Sequence, residues 1–123
     1  MEFDQLSKEV IGCAIEVHRL LGPGLLESAY EECLVHEIRE KQIMVERQKP
    51  VPVVYKNIKL DCGYRLDLLV ENRLIVEIKS IDAIAPVHLA QILTYMKFSG
   101  IKTELLLNFN VTVLKAGIRR LVL

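Results

Sequence analysis

The stretch Arg65-Leu66-Asp67-Leu68-Leu69-Val70, Glu71-Asn72-Arg73, Leu74-Ile75-Val76-Glu77-Ile78-Lys79-Ser80 decides the fold. Two apolar strands flank a short polar turn and carry two carboxylates and a lysine in their interiors. Charge inside a buried strand is costly unless it is paired or binds a metal. In an antiparallel hairpin, directly opposed residues share a face. A three-residue loop, Glu71 to Arg73, sets Val70 opposite Leu74, Leu68 opposite Val76 and Leu66 opposite Ile78, a wholly aliphatic face. The other face then pairs Leu69 with Ile75, Asp67 with Glu77 and Arg65 with Lys79. A two-residue loop would move Asp67 to the apolar side, since a slip of one residue flips every side chain. Burial therefore favours the three-residue loop. Two acids on neighbouring strands with a lysine two residues on suit a divalent-cation site.

The chain has 123 residues, a hydrophobic fraction of 51% and a formal net charge of zero. That length predicts one domain, residues 1–123, with a real core. No apolar run approaches a membrane span, and Met1-Glu2-Phe3-Asp4 does not begin a signal peptide. Cys13, Cys33 and Cys62 are odd in number and lack metal-ligand spacing, so Cys13 and Cys33 read as small core residues in a reducing cytoplasm. Zero net charge means that contact with nucleic acid must come from local clustering. The basic residues are scattered, with Arg119-Arg120 the one tight pair near the end, and surface solubility accounts for most of them.

Outward from the hairpin, Leu6, Val10, Cys13, Ala14, Val17, Leu20 and Leu21 recur at helical spacing over about 4 to 21, and Gly22-Pro23-Gly24 breaks the pattern. A second helix is predicted from about Leu25 to Lys41. Residues 43 to 55 read as extended, with Pro50 and Pro52 marking an edge or a bend. Residues 58 to 70 and 74 to 80 read as the next strands. Pro86 suits the first turn of a third helix, which runs to about Phe98 and stops at Gly100. Thr103 to Phe109 reads as an apolar strand, and Val111–Leu114 with Ile118–Leu123 as a terminal hairpin. This order predicts an α/β or α+β fold, a mixed β-sheet flanked by helices.

Asp67, Glu77 and Lys79 suit metal-assisted phosphodiester hydrolysis. Hard oxygen ligands hold Mg²⁺ or Mn²⁺, and a lysine can orient or deprotonate the attacking water or steady charge on the phosphorus. The alternative is an exposed sheet face with cross-strand ion pairs, Arg65 to Glu77 or Asp67 to Lys79. Glu27 falls in the first turn of the second helix, where a carboxylate is favoured without any further role, and Tyr30 lies one turn on. Gln91 and Tyr95 stand four apart and share a helix face with His88, opposite a stripe of Leu89, Ile92, Leu93 and Met96. That polar face suits a phosphate or a base, and equally an ordinary solvated surface.

Three signals occur in one order: Gly24-Leu25-Leu26-Glu27-Ser28-Ala29-Tyr30, then Asp67 with Glu77-Ile78-Lys79, then Gln91-Ile92-Leu93-Thr94-Tyr95. Together they resemble the GxxExxY family of small prokaryotic proteins within the PD-(D/E)XK nuclease superfamily, and the last resembles the Q-x-x-x-Y motif of RecB-like nucleases. The likeness runs from Leu6 to Phe109; the signature proline is replaced, with Leu66 before Asp67. The resemblance implies a restriction-endonuclease-like core of helix, three-stranded antiparallel meander, helix and parallel strand. It implies Asp67 and Glu77 as ligands of Mg²⁺ or Mn²⁺, Lys79 as the catalytic lysine and Glu27 as an extra acid, with Gln91 and Tyr95 supporting the site or touching DNA. The backbone carbonyl of Ile78 joins the metal ligands, and Tyr30 joins the supporting residues. The expected function is metal-dependent hydrolysis of phosphodiester bonds in DNA, in preference to RNA, by a cytoplasmic protein without a membrane association. A non-catalytic nucleic-acid-binding or assembly module on the same fold is the alternative, and a structural subunit of a larger complex is a third. A homo-oligomer stays open.

Overall fold

A computed structural model describes residues 3–123. Met1 and Glu2, on which the signal-peptide reading rests, lie outside the described residues, and only the helical backbone of Phe3 and Asp4 is described. The elements are α1 (Phe3–Leu21), α2 (Glu27–Glu40), β1 (Val45–Pro50), β2 (Val53–Tyr55), β3 (Ile58–Leu60), β4 (Arg65–Val70), β5 (Leu74–Lys79), α3 (Pro86–Ser99), β6 (Thr103–Asn108), a 3₁₀ turn (Leu114–Gly117) and β7 (Ile118–Val122). Five strands form one sheet in the order β1-β4-β5-β6-β7, and β2 with β3 makes a separate ribbon. Pairing is antiparallel except between β5 and β6, which α3 joins as a parallel crossover. Among the described residues, no helix is long and apolar enough to cross a membrane.

The hairpin takes the predicted register next to its turn, where Val70 faces Leu74, Leu69 faces Ile75 and Leu68 faces Val76; the ladder ends there, before the expected Asp67–Glu77, Leu66–Ile78 and Arg65–Lys79 pairs. The turn is tight because Glu71 and Asn72 both adopt positive φ, 50° and 56°, and Arg73 N–H donates to Val70 O at 3.0 Å. Left-handed conformations at both central positions match the twist of the flanking strands.

The apolar spacing of α1 becomes one buried stripe of Leu6, Val10, Cys13, Ala14 and Val17. With α2 it covers the sheet face bearing Leu68, Val70, Leu74, Val76, Ile78, Leu105 and Leu107. Each such side chain, fully buried, stabilises the fold by about 1.5–3 kcal/mol before conformational entropy is counted. Ile92 and Met96 of α3 cover the opposite face with Leu69, Ile75 and Leu106. Leu66, expected with the aliphatic face of Leu68, packs instead in this second cluster beside Val51. The cause lies in β1: Gln48 takes φ +52°, and the β1–β4 register omits the Gln48–Asp67 pair while keeping its neighbours. The local twist breaks strict alternation at Asp67.

Two other expectations are corrected. Residues 58 to 70 are not one strand: Gly63 at φ +77° divides β3 from β4. Val111–Leu114 is not a strand, because His18 Nε2 bonds the Val111 carbonyl at 2.8 Å and Leu114 buries itself in the core, which curls the segment. Ile118–Val122 pairs with β6 in its place.

Candidate functional site

Asp67 and Glu77 meet where β4 and β5 part. The registered pairs end at Leu68–Val76, and one step further the Ile78 N–H donates to Asp67 Oδ2 at 2.8 Å. A side-chain carboxylate thus takes a strand donor in the opening. Asp67 is half-buried and Glu77 is buried, with Oε1 of Glu77 lacking any partner. Burial pushes the Glu77 carboxyl up to about 10, helped by the negative charge of Asp67 beside it and, less, by Glu104. In an extended strand the carbonyl of a residue points to the same side as its N–H, so the Ile78 carbonyl faces the same opening. Lys79 is half-buried at the end of β5. Among the described residues no ion pair joins Arg65, Asp67, Glu77 and Lys79, so the exposed, cross-paired sheet face is not what forms.

Glu104 belongs to this neighbourhood and was not singled out in the sequence. Parallel pairing puts Ile75 beside Glu104 and Glu77 beside Leu106, so Glu104 lies diagonal to Glu77 on the α3 side of the sheet. It is fully buried, and both carboxylate oxygens lack a partner. Burial, then the charge of Asp67, raises its carboxyl to about 9, while Lys79 pulls the other way. The available signal was the one that revealed Asp67 and Glu77, a lone charge in an apolar strand.

The Gly24-to-Tyr30 segment acts as a clamp on the end of β5. Gly24 takes φ +95°, which a side chain would strain. Tyr30 is fully buried, stacks on Phe109 with centroids 4.4 Å apart, donates from its hydroxyl to Gly22 O at 2.5 Å and accepts from Leu25 N–H at 3.2 Å. The loop so held lets Glu27 Oε2 accept the Ser80 N–H at 3.1 Å, while Ser80 Oγ donates to Leu25 O at 2.7 Å. Glu27 is therefore brought to the strand that bears Glu77 and Lys79, and is exposed there. Tyr30 supports from inside and does not reach the surface. Asn108 clamps the next residue, exchanging bonds with Ile81 N–H and C=O at 3.1 and 3.0 Å.

From α3, Tyr95 comes within the field of Glu77 and Asp67. Its phenol is raised, chiefly by burial, then by Glu77, Tyr64 and Asp67, against a lowering contribution from Gln91. Gln91 is exposed beside Tyr95, and with Tyr64, Val51, Val53 and Phe98 the two line a groove in which the Tyr64 and Tyr95 rings lie 5.7 Å apart. The His88 ring is engaged at the start of the helix, where its Nδ1 accepts the Ala85 N–H at 2.8 Å. Leu93, expected in the core stripe, is 39% exposed.

A divalent cation fits these residues. Buried polar atoms without partners are rare and call for an ion or water, and three such carboxylate oxygens lie here on Glu77 and Glu104. Among the described residues no three His, Cys, Asp or Glu side chains converge on one point. Mg²⁺ does not require that, since it binds through one or two carboxylates and keeps several waters.

A family model described as the PD-(D/E)XK nuclease superfamily matches residues 4–121, and the mixed sheet with flanking helices agrees with the restriction-endonuclease-like fold. No curated protein and no solved structure matches.

Proposed function

Because the chain belongs to the PD-(D/E)XK nuclease superfamily, we propose that it is a Mg²⁺- or Mn²⁺-dependent deoxyribonuclease. The observation that carries the reading is the half-buried Asp67 beside the buried Glu77 over the opened β4–β5 ladder, with Glu77 Oε1 unpartnered. Nucleases of this superfamily generally use divalent metals and act on nucleic acid. The motif order of Glu27, Tyr30, Asp67, Glu77, Lys79, Gln91 and Tyr95 supports placement in the GxxExxY family, with residues 1–123 as one nuclease-like domain in the cytoplasm.

Asp67, Glu77 and the Ile78 carbonyl would hold the cation, with Glu27 as the extra acid from the α2 side. When bound, the cation polarises the phosphate and acidifies a water. The chain's own groups do the rest. Lys79 positions the attacking water, takes part in removing its proton and steadies charge on the phosphorus. The water oxygen bonds to phosphorus, the bond from phosphorus to the leaving sugar oxygen breaks, and that oxygen ends protonated. Gln91 and Tyr95 fix the acids from α3, and the Tyr64–Tyr95 groove offers ring faces to a neighbouring base. A purely binding module has no need of an acid kept buried and unpartnered, so the intact set favours catalysis.

Cleavage assays on single-stranded, duplex and branched DNA with Mn²⁺ test this. Wild type is expected to cut at least one substrate. Asp67→Asn is expected to lose cleavage together with the cation-dependent rise in melting temperature. Lys79→Ala is expected to lose cleavage and keep that rise. If Asp67→Asn retains the full cation-dependent thermal shift, Asp67 is not a ligand and the binding-module reading replaces this one.

A further inference from the structure

Glu104 is unusual among the buried groups of this chain. It is fully enclosed in β6, flanked by Ile75 of β5 and Leu121 of β7, and neither carboxylate oxygen has a partner among the described residues. A structural acid in that position is normally bonded or paired. Neither its position nor its surroundings serve the fold: the flanking Leu105, Leu106 and Leu107 are all fully buried aliphatics, and a leucine would continue the series. What Glu104 does have is company. It sits on the α3 side, diagonal to Glu77, and within the fields of Asp67 and Lys79. Three carboxylates from three adjacent strands, β4, β5 and β6, therefore surround one region beside one lysine.

We infer that Glu104 is a third carboxylate of the cation site, an acid supplied by β6. The inference rests on the cation-dependent reading of Asp67 and Glu77 given above. Since three acids do not converge on one point, Glu104 acts on the ion through a water of its shell and not as a third direct ligand. A cation bound at Asp67 and Glu77 gives Glu104 the positive charge and the hydrogen-bond donor that the protein withholds from it. It thereby raises affinity for a small, hydrated divalent ion, Mg²⁺ or Mn²⁺, which keeps such waters.

The test is calorimetric titration of Mn²⁺ into wild type, Asp67→Asn and Glu104→Gln, with the melting temperature of each protein measured without metal. Glu104→Gln keeps the shape and removes the charge. Its Mn²⁺ affinity is expected to fall by about 10- to 100-fold, the usual effect of losing a group that bonds a metal's inner ligands. Its metal-free melting temperature is expected to stay level or rise. Opposite movement of the two readouts separates a role toward the ion from a packing role, which would lower both. If Asp67→Asn loses binding while Glu104→Gln binds within about twofold of wild type, the cation reading stands and Glu104 has no part in it. If wild type takes up no Mn²⁺, both readings fall. Should Glu104→Gln not fold, Glu104→Asp carries the test: it keeps the charge but draws it back by one methylene, so weakened Mn²⁺ binding supports the role and unchanged binding overturns it.

Discussion

Glu77 and Glu104 give the site its pH behaviour. Each has an ordinary carboxyl value of 4.5, raised to about 10 for Glu77 and about 9 for Glu104, in both cases chiefly by burial and next by the charge of Asp67. Across the interval from 4.5 upward the unfolded chain releases protons that the folded chain retains. Stability then falls as pH rises, because the native state binds more protons. The metal-free melting temperature is expected to drop steadily between pH of about 5 and 9, and Glu77→Gln is expected to flatten the slope. A rising or level curve for wild type would show that these acids ionise freely in the fold. The same two residues mark how far the site could be read from sequence. Asp67, Glu77 and Lys79 were visible because charge interrupts two apolar strands joined by a short turn, and counting gives the hairpin pairs as far as Leu68–Val76, beyond which the twist at Asp67 takes over. Glu104 interrupts a strand in the same way. Its relation to Glu77, however, depends on a parallel register set through the whole α3 crossover, which local counting does not reach.

At the scale of elements, the segment after β5 is held by two clamps from distant parts of the chain. Glu27 and Ser80 close one, and the Asn108–Ile81 exchange closes the other. Gly117 lies behind the second: a Cβ there would come within 2.1 Å of the Asn108 carbonyl oxygen. Backbone cannot yield as a flexible side chain can, so Gly117→Ala is expected to cost roughly 1–3 kcal/mol. The check is urea unfolding, with the proposed DNA cleavage falling too because Asn108 shifts and Ile81 shifts with it. A variant as stable as wild type would show that the 3₁₀ turn relaxes freely. Helices and the central hairpin were legible in the sequence, since α1 shows its stripe and Pro86 and Gly100 bracket α3. The end of the chain was not. The course of Val111–Leu114 is decided by His18, 93 residues earlier in sequence, whose bond to Val111 no local pattern announces. The break at Gly63 was missed because residues 58–60 and 65–70 both carry strand-like composition.

For the molecule as a whole, the acids lie inside a sheet covered on both faces, α1 and α2 on one and α3 on the other. The ribbon of β2 and β3 stands apart from this arrangement. Among the described residues it pairs only with itself, and Val54, Tyr55, Ile58 and Leu60 are exposed along it. Lys56 and Asn57 form its tip with positive φ, 47° and 68°. A two-stranded ribbon is marginally stable by itself, and exposed tips are where proteases cut first. Brief trypsin treatment is therefore expected to cleave at Lys56 or Lys59 before any other site, as mass spectrometry of the fragments would show; first cleavage within α1 or α2 would contradict it. The cut leaves α1, α2 and β1 on one piece and β4 through β7 on the other. Those pieces remain joined by the β1–β4 pairing and by a common apolar interior. The chain is thus divisible at one loop into two halves that hold each other by shape. Expressed from separate genes, they should reassemble on mixing, with Asp67, Glu77, Lys79 and Glu104 on one half and Glu27 on the other, so that the proposed cation site becomes a reporter of whether two polypeptides have met.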